Sequence, residues 1–258
     1  MKPLQTTKQK NSIKIGDIFQ LGDHWLLCGD ATDQEGIKKF LRKDKINLIL
    51  ADPPYGISYT QNKAGFSSVK VNKEIINDDI SSEFDYTVFT KDWLQPIIPH
   101  MVRKNAVYIF NSDKMLFALR EGMKQAGINF SQLVIWVKNH SVVGRKDYLP
   151  MHELIAYGWH GTHLFHKGKD KSVLFYPKPN SSSLHPTTKP VPLLRHLILN
   201  STKIGDTVYD CFGGSGSTLI ACEETKRRCF TVELDPEYCQ TIISRYEKIT
   251  GLKAKKFN

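Results

Sequence analysis

The sequence predicts an α/β fold, and three stretches carry that prediction. Trp25–Cys28 reads as a strand ending in Gly29-Asp30, a helix follows from about Asp33 to Arg42, and Asn47–Leu50 is a second, fully apolar strand, so the three make a βαβ unit. Thr207–Asp210 is another strand, and the glycine-rich turn after it opens a helix through about Glu224 before a further strand at Cys229–Val232. Ala51-Asp52-Pro53-Pro54-Tyr55 directly follows the apolar strand of the first unit. Its two prolines lock φ and remove two N–H donors, which makes a rigid ledge at a strand's carboxyl end, where open α/β sheets bind ligands.

The 258 residues suffice for a sizeable core, as one large domain over 1–258 or as two small ones. A net charge of +10 and a pI near 9.3 favour a polyanionic partner. Five cysteines, an odd number with no Cys-x-x-Cys spacing, argue against a disulfide framework and for buried thiols in a reducing compartment. Met1–Thr7 lacks the apolar core of a signal peptide, and no apolar run is long enough to span a bilayer, so the expected location is cytoplasmic, without a membrane partner.

In chain order, residues 1–12 are polar and expected to fray. Ile13–Phe19 and Trp25–Cys28 read as a hairpin around Leu21-Gly22-Asp23-His24. In the helix after Gly29-Asp30, Ile37, Phe40 and Leu41 share one face; Asp30 itself reads equally as a turn or capping residue. Residues 56–79 form a long polar loop beside Asp52, read as a lid with Lys63, Lys70 and Lys73 near phosphates and Tyr59 or Phe66 to stack; a merely solvated loop is the other reading. A helix from Ser82 to Leu94 stops near Pro96 and Pro99, Ala106–Phe110 is a strand, Lys114–Gln125 a helix, and Gln132–Lys138 a strand. His152–Tyr157 follows without an intervening helix and can lie antiparallel to it.

Residues 159–183 break the pattern as an inserted small region. His160, His163, Lys167, Lys169 and Lys171 alternate with aromatics, which suits a nucleic-acid surface; a solvated charged hairpin is the bland alternative. A metal site is disfavoured because no cysteine or carboxylate motif accompanies the histidines. After it, Leu193, Leu194, Leu197 and Ile198 give a helix its buried face. Glu233 ends the Cys229–Val232 strand, placed to accept from ribose hydroxyls, and Asp235-Pro236 caps a helix that ends near Gly251. The glycine turn lacks the third glycine of a dinucleotide fingerprint, since Leu219 stands there, and no Gly-Lys-Ser/Thr marks a phosphate loop.

Asp52-Pro53-Pro54-Tyr55 resembles motif IV of the S-adenosylmethionine-dependent amino-methyltransferases, and Asp210-Cys211-Phe212-Gly213-Gly214-Ser215-Gly216-Ser217-Thr218 resembles their motif I. Glu233-x-Asp235-x-x-Tyr238 is similar to motif II, and His185-Pro186-Thr187-Thr188-Lys189-Pro190 to motif X. With motif IV before motif I, the order resembles the β group of DNA N6-adenine and N4-cytosine methyltransferases, from roughly Leu26 to Gly251. The resemblance implies a Rossmann-like methyltransferase with a mixed seven-stranded sheet, helices on both faces and a circularly permuted motif order. It also implies S-adenosyl-L-methionine as cofactor, with Asp30 on its adenine amine, Asp210, Phe212, Gly214, Ser215, Gly216, Ser217, Thr218, Glu233 and Asp235 around it, and Thr187 and Lys189 at its methionine end. Cys211 stands where the family often has Pro, in a position that mainly shapes the turn.

The activity so implied is transfer of a methyl group to adenine N6 in duplex DNA after base flipping. Tyr55 stacks on the base, while Asp52 and the Pro53 carbonyl, stiffened by Pro54, accept from the exocyclic amine. Arg145 and Lys146 join the expected DNA contacts. Asp at the first position of motif IV goes mostly with adenine in the family and Ser with cytosine N4, so N4 transfer is the alternative; a non-catalytic DNA-binding module and a nicotinamide oxidoreductase are remoter. A cognate restriction endonuclease and a homodimer are the partners the family allows besides double-stranded DNA.

Overall fold

The computed structural model describes residues 12–54, 82–141, 147–178 and 188–257. Their strands are β1 (Ile18–Leu21), β2 (His24–Cys28), β3 (Ile46–Ala51), β4 (Met101–Asn111), β5 (Asn129–Val137), β6 (His152–Trp159), β7 (Thr162–His163), β8 (Val173–Phe175), β9 (Thr207–Asp210), β10 (Arg228–Glu233) and β11 (Lys255–Lys256). The helices are α1 (Gln34–Leu41), α2 (Glu83–Leu94), α3 (Leu116–Gln125), α4 (Val191–Ser201), α5 (Ser217–Thr225) and α6 (Pro236–Thr250).

β3 is apolar on both sides because both of its faces are covered. Leu48 and Leu50 point into a core built with α4, α5 and α6, while Ile49 and Ala51 point into a second core with α1, α2 and α3. The strands run in the order β11-β1-β2-β10-β9-β3-β4-β6-β5-β8, with β7 beside β4. From β2 to β4 they are parallel, and β6 lies antiparallel between β4 and β5. The sheet of the described residues therefore has eleven strands where seven were expected. The middle seven, β2 to β5 in that order, and β1 are those the sequence marked; short β7, β8 and β11 extend them. Edge strands of two or three residues bury too little to leave a hydrophobic period.

The first strand starts at Ile18 and not at Ile13, because a turn intervenes: Asp17 N–H donates to the Lys14 carbonyl at 3.0 Å, and its side chain accepts the Lys14 N–H at 3.0 Å. At the other end of the chain, β11 pairs antiparallel with β1, Lys256 opposite Phe19. Helix starts follow their caps: Ser82 accepts the Asp85 N–H at 3.0 Å, and Asp235, before Pro236, accepts the Glu237 N–H at 2.8 Å. No helix of the described residues is long and apolar enough to cross a membrane.

Chain connections run outward in opposite directions from the β9–β3 pair, from β9 through α5 to β10 and from β3 towards β4. Their shared border is thus a topological switch point, and the carboxyl ends of these two strands carry Asp210 and Asp52.

Candidate active site

Asp52 leaves β3 at its carboxyl end, a quarter exposed, with Pro53 and Pro54 behind it. The Lys189 ammonium donates to Asp52 Oδ2 at 2.5 Å. Lys189 is placed by Pro190, the N-cap of α4, and its side chain is only 7% exposed. Glu153 of β6 faces the same ammonium at 3.3 Å through Oε2, a charge contact without hydrogen-bond alignment, and accepts from Lys138 at 2.7 Å through Oε1. The ring of Phe110 lies 5.0 Å from Lys189 Nζ and that of Trp136 lies 5.2 Å from Lys138 Nζ. Burial alone would lower the Lys189 pKa, but the Asp52 and Glu153 charges outweigh it and hold it above the ordinary lysine value. Burial likewise works against the Glu153 carboxylate, and Lys189 and Lys138 reverse the sign, leaving its pKa below the ordinary value. Two cations and two carboxylates thus alternate from β5 to the ledge.

The glycine turn lies next door. Asp210 Oδ1 accepts the Phe212 N–H at 3.1 Å, and Thr218 adds a hydroxyl. Burial pushes the Asp210 carboxyl up to about 6, with the Asp52 charge adding to the effect. Gly213 passes so close to β10 that a Cβ would stand 2.5 Å from Thr231 Cγ2, and Gly216, the N-cap of α5, has φ +81°. Glu233 ends β10 and binds two backbone groups, the Gly214 N–H at 2.7 Å and the Asp235 N–H at 2.8 Å. Burial pushes its carboxyl up to about 7. Arg245 of α6 donates to the Ser215 carbonyl at 3.0 Å and to the Ser217 hydroxyl at 3.1 Å, and Thr188, beside Lys189, meets the Ser215 hydroxyl at 3.3 Å. Phe212 sets its ring edge-on to Trp93 of α2 at 5.4 Å.

These groups suit a ligand with an ammonium and vicinal hydroxyls. Two buried carboxyls at the ends of neighbouring strands, each raised chiefly by burial, would repel a pyrophosphate. Asp30, after β2, makes a local turn in which Oδ1 accepts both the N–H and the hydroxyl of Thr32 at 2.8 Å. Among the described residues no group of three or more His, Cys, Asp and Glu could hold a metal ion.

Of the expected DNA contacts, Lys167, Lys169 and Lys171 are exposed between β7 and β8. His160 and His163 stand at the far end of the sheet from Asp52: His160 Nδ1 donates to the Gly127 carbonyl at 2.9 Å ahead of β5, and His163 pairs with Asn105 in the amino-terminal half of β4. Tyr55, Lys63, Lys70, Lys73, Arg145, Lys146 and Thr187 lie outside the described residues, as does the 56–79 loop. Sequence reasoning missed Glu153, Lys138 and Arg245. It also missed Asp170, whose Oδ2 accepts from His196 Nε2 at 2.5 Å and from Asn200 at 2.6 Å, joining the inserted region to α4.

A DNA methylase family model, that of the N6 and N4 enzymes, matches residues 46–244, from the first residue of β3 into α6. The Type II methyltransferase M.HpaI of Haemophilus parainfluenzae is 24% identical over 251 residues, covering 87% of this chain and 74% of its own. M2.DpnII of Streptococcus pneumoniae is 27% identical over 240 residues, covering 81% and 86%. Two solved structures share the fold. The M1.HpyAVI–SAM complex superposes with a TM-score of 0.63 at 23% identity, covering 85% of this chain and 98% of its own. PvuII DNA methyltransferase, described as cytosine-N4-specific, gives 0.66 at 17% identity, covering 88% and 89%.

Proposed function

This chain belongs to the N6/N4 DNA methylase family, and from that membership we propose that it methylates adenine N6 at specific sites in duplex DNA, with S-adenosylmethionine as donor. The observation that carries the reading is the pairing of β3 with β9, by which the Asp-Pro-Pro ledge and the glycine turn share one switch point. When bound, S-adenosylmethionine supplies a methyl group activated on a sulfonium sulfur. Asp210 matches its ammonium and Glu233 its ribose hydroxyls, with Gly214, Ser215, Gly216, Ser217 and Thr218 lining the turn between them.

The target base leaves the stack to reach the ledge. An aryl amine is a poor nucleophile because its lone pair is delocalised into the ring. Asp52 and the Pro53 carbonyl accept its two hydrogens and draw the nitrogen towards tetrahedral geometry, and Tyr55 stacks on the base. The Asp52 charge then faces the positive charge that develops on nitrogen. Exposed Lys167, Lys169 and Lys171 meet phosphates, so DNA affinity falls steeply with salt. Acting on cellular DNA, the enzyme would work in the cytoplasm, and relatives named as Type II methyltransferases make a cognate endonuclease its expected companion. A second reading, transfer to cytosine N4, is favoured by one observation, the shared fold with an N4-specific enzyme; the Asp at the head of the ledge motif favours adenine.

The test is incubation with unmethylated DNA and S-adenosylmethionine, followed by nucleoside mass spectrometry, with Asp52→Ala in parallel. N6-methyladenine from the wild type alone is expected. N4-methylcytosine would move the reading to its alternative, and no methylated base from a protein that binds cofactor would overturn both.

A further inference from the structure

We propose that Glu153 is a positioning residue for methyl transfer: it shares the Lys189 ammonium with Asp52 and so frees the Asp52 carboxylate to accept from the incoming amine. The inference rests on the role proposed for Asp52. Its ground is the alternation Lys138, Glu153, Lys189, Asp52, in which both lysines are nearly enclosed, at 4% and 7% side-chain exposure. The four formal charges cancel.

Lys189 is the difficulty in this arrangement. An ammonium hydrogen-bonded to Asp52 at 2.5 Å sits on the oxygen that the target amine needs, and it opposes positive charge on the amine nitrogen. Glu153 offers the same ammonium a second carboxylate 3.3 Å away. Lys138, at 2.7 Å on the other Glu153 oxygen, holds that second carboxylate in place and pairs its remaining charge. When the target amine takes up Asp52, Lys189 has a short move to make and a buried counter-ion to make it towards. Without the Glu153 charge, the two lysines would leave a net positive site beside Asp52, and the ammonium would lose its second carboxylate. Phe110, 5.0 Å from Nζ, walls the site and limits other exits.

This predicts non-additivity, which a general packing role for Glu153 would not produce. Four proteins test it: wild type, Glu153→Gln, Lys189→Met and the double variant, under single turnover on duplex DNA with saturating S-adenosylmethionine. Glu153→Gln is expected to slow transfer by about tenfold or more, without weakening cofactor binding measured by calorimetry. The same substitution is expected to cost little when Lys189 is already Met. Equal losses from Glu153→Gln in both backgrounds would overturn the proposal, as would a matching loss of cofactor affinity. A second readout is independent of activity. In urea, Glu153→Gln is expected to lower the unfolding midpoint of the unliganded protein more when Lys189 is present than in the Met background, where only the Lys138 pair is lost, and absence of that coupling also overturns the proposal. If the coupling stands but the wild type methylates no DNA, it is the functional reading that has failed.

Discussion

Glu233 closes the glycine turn by accepting the Gly214 N–H at 2.7 Å, so the acid that ends β10 also shapes the loop that ends β9. Its other oxygen holds the Asp235 N–H at 2.8 Å, at the N-cap of α6. A carboxylate can serve both amides, whereas a glutamine at this site presents an NH2 group to one of them. Glu233→Gln is therefore expected to weaken S-adenosylmethionine binding by about tenfold or more, since hydrogen bonds to a charged acceptor contribute roughly 1.5–3 kcal/mol. Isothermal titration of the two proteins checks this, and equal affinities would remove Glu233 from the cofactor site.

The two carboxyls of this site make stability fall with rising pH. Asp210 goes from 3.8 to about 6 and Glu233 from 4.5 to about 7, in each case chiefly through burial, so the folded protein holds more protons than the unfolded chain between these values. The stability linked to them is fully present below pH 3.8 and 4.5 and is lost as pH rises through about 6 and 7. The loss is on the order of 2–3 kcal/mol per group. Urea midpoints of the unliganded protein are expected to drop between pH 5 and pH 8, and Asp210→Asn to flatten the drop while impairing cofactor binding. A wild-type profile that is already flat over this range would refute the assignment.

The place of three acids at strand ends was legible in the sequence for a simple reason: each stands at the end of a short, apolar run, so its position at the sheet's edge follows from the run itself. Asp52, Asp210 and Glu233 were found in this way, and Asp235 from the Asp-Pro cap. Glu153 was not. In His152–Tyr157 a lone acid reads as the solvent-facing member of a strand, and its meaning arises only when Lys138 and Lys189 come from two other segments to neutralise it. Arg245 is similarly hidden on the polar side of an amphipathic helix that happens to face the Ser215 carbonyl. Basic residues with interleaved aromatics gave no direction in space either, and so His160 and His163 read as one surface with lysines that the chain carries elsewhere.

Gly213 is a glycine for lack of room. A Cβ there would lie 2.5 Å from Thr231 Cγ2 and 3.0 Å from Ile242 Cδ1, inside two elements that cannot both retreat. Gly213→Ala is expected to destabilise the protein by about 1–3 kcal/mol through overpacking and to push the turn away from β10. Because the Gly213 N–H also donates to the Val232 carbonyl at 2.9 Å, that shift carries Gly214 away from Glu233. Cofactor affinity should fall with stability, measured by calorimetry at a temperature where the variant is folded. Thr231→Ala in the same chain should restore part of both.

Asp170 ties the inserted region to the helix that delivers Lys189. Its Oδ1 accepts the Lys171 N–H at 2.9 Å, while Oδ2 takes His196 Nε2–H and the Asn200 amide, both on α4. With the His196 proton on Nε2, Nδ1 accepts from the Tyr176 hydroxyl at 2.8 Å, so the end of β8 joins the same chain. Burial works against the carboxylate here, but these hydrogen bonds outweigh it and hold Asp170 down at about 2 against an ordinary 3.8. The sign is opposite to that of Asp210: the stability is fully present above pH 3.8 and is lost as pH falls through about 2. Asp170→Asn keeps the shape but not the charge, and is expected to cost roughly 1–3 kcal/mol at neutral pH and to make the acid limb shallower. Hydrogen exchange gives the local consequence. Val173–Phe175 amides should exchange faster in the variant while those of β9 and β10 keep their protection, because only the inserted region depends on the Asp170 carboxylate for its attachment to α4.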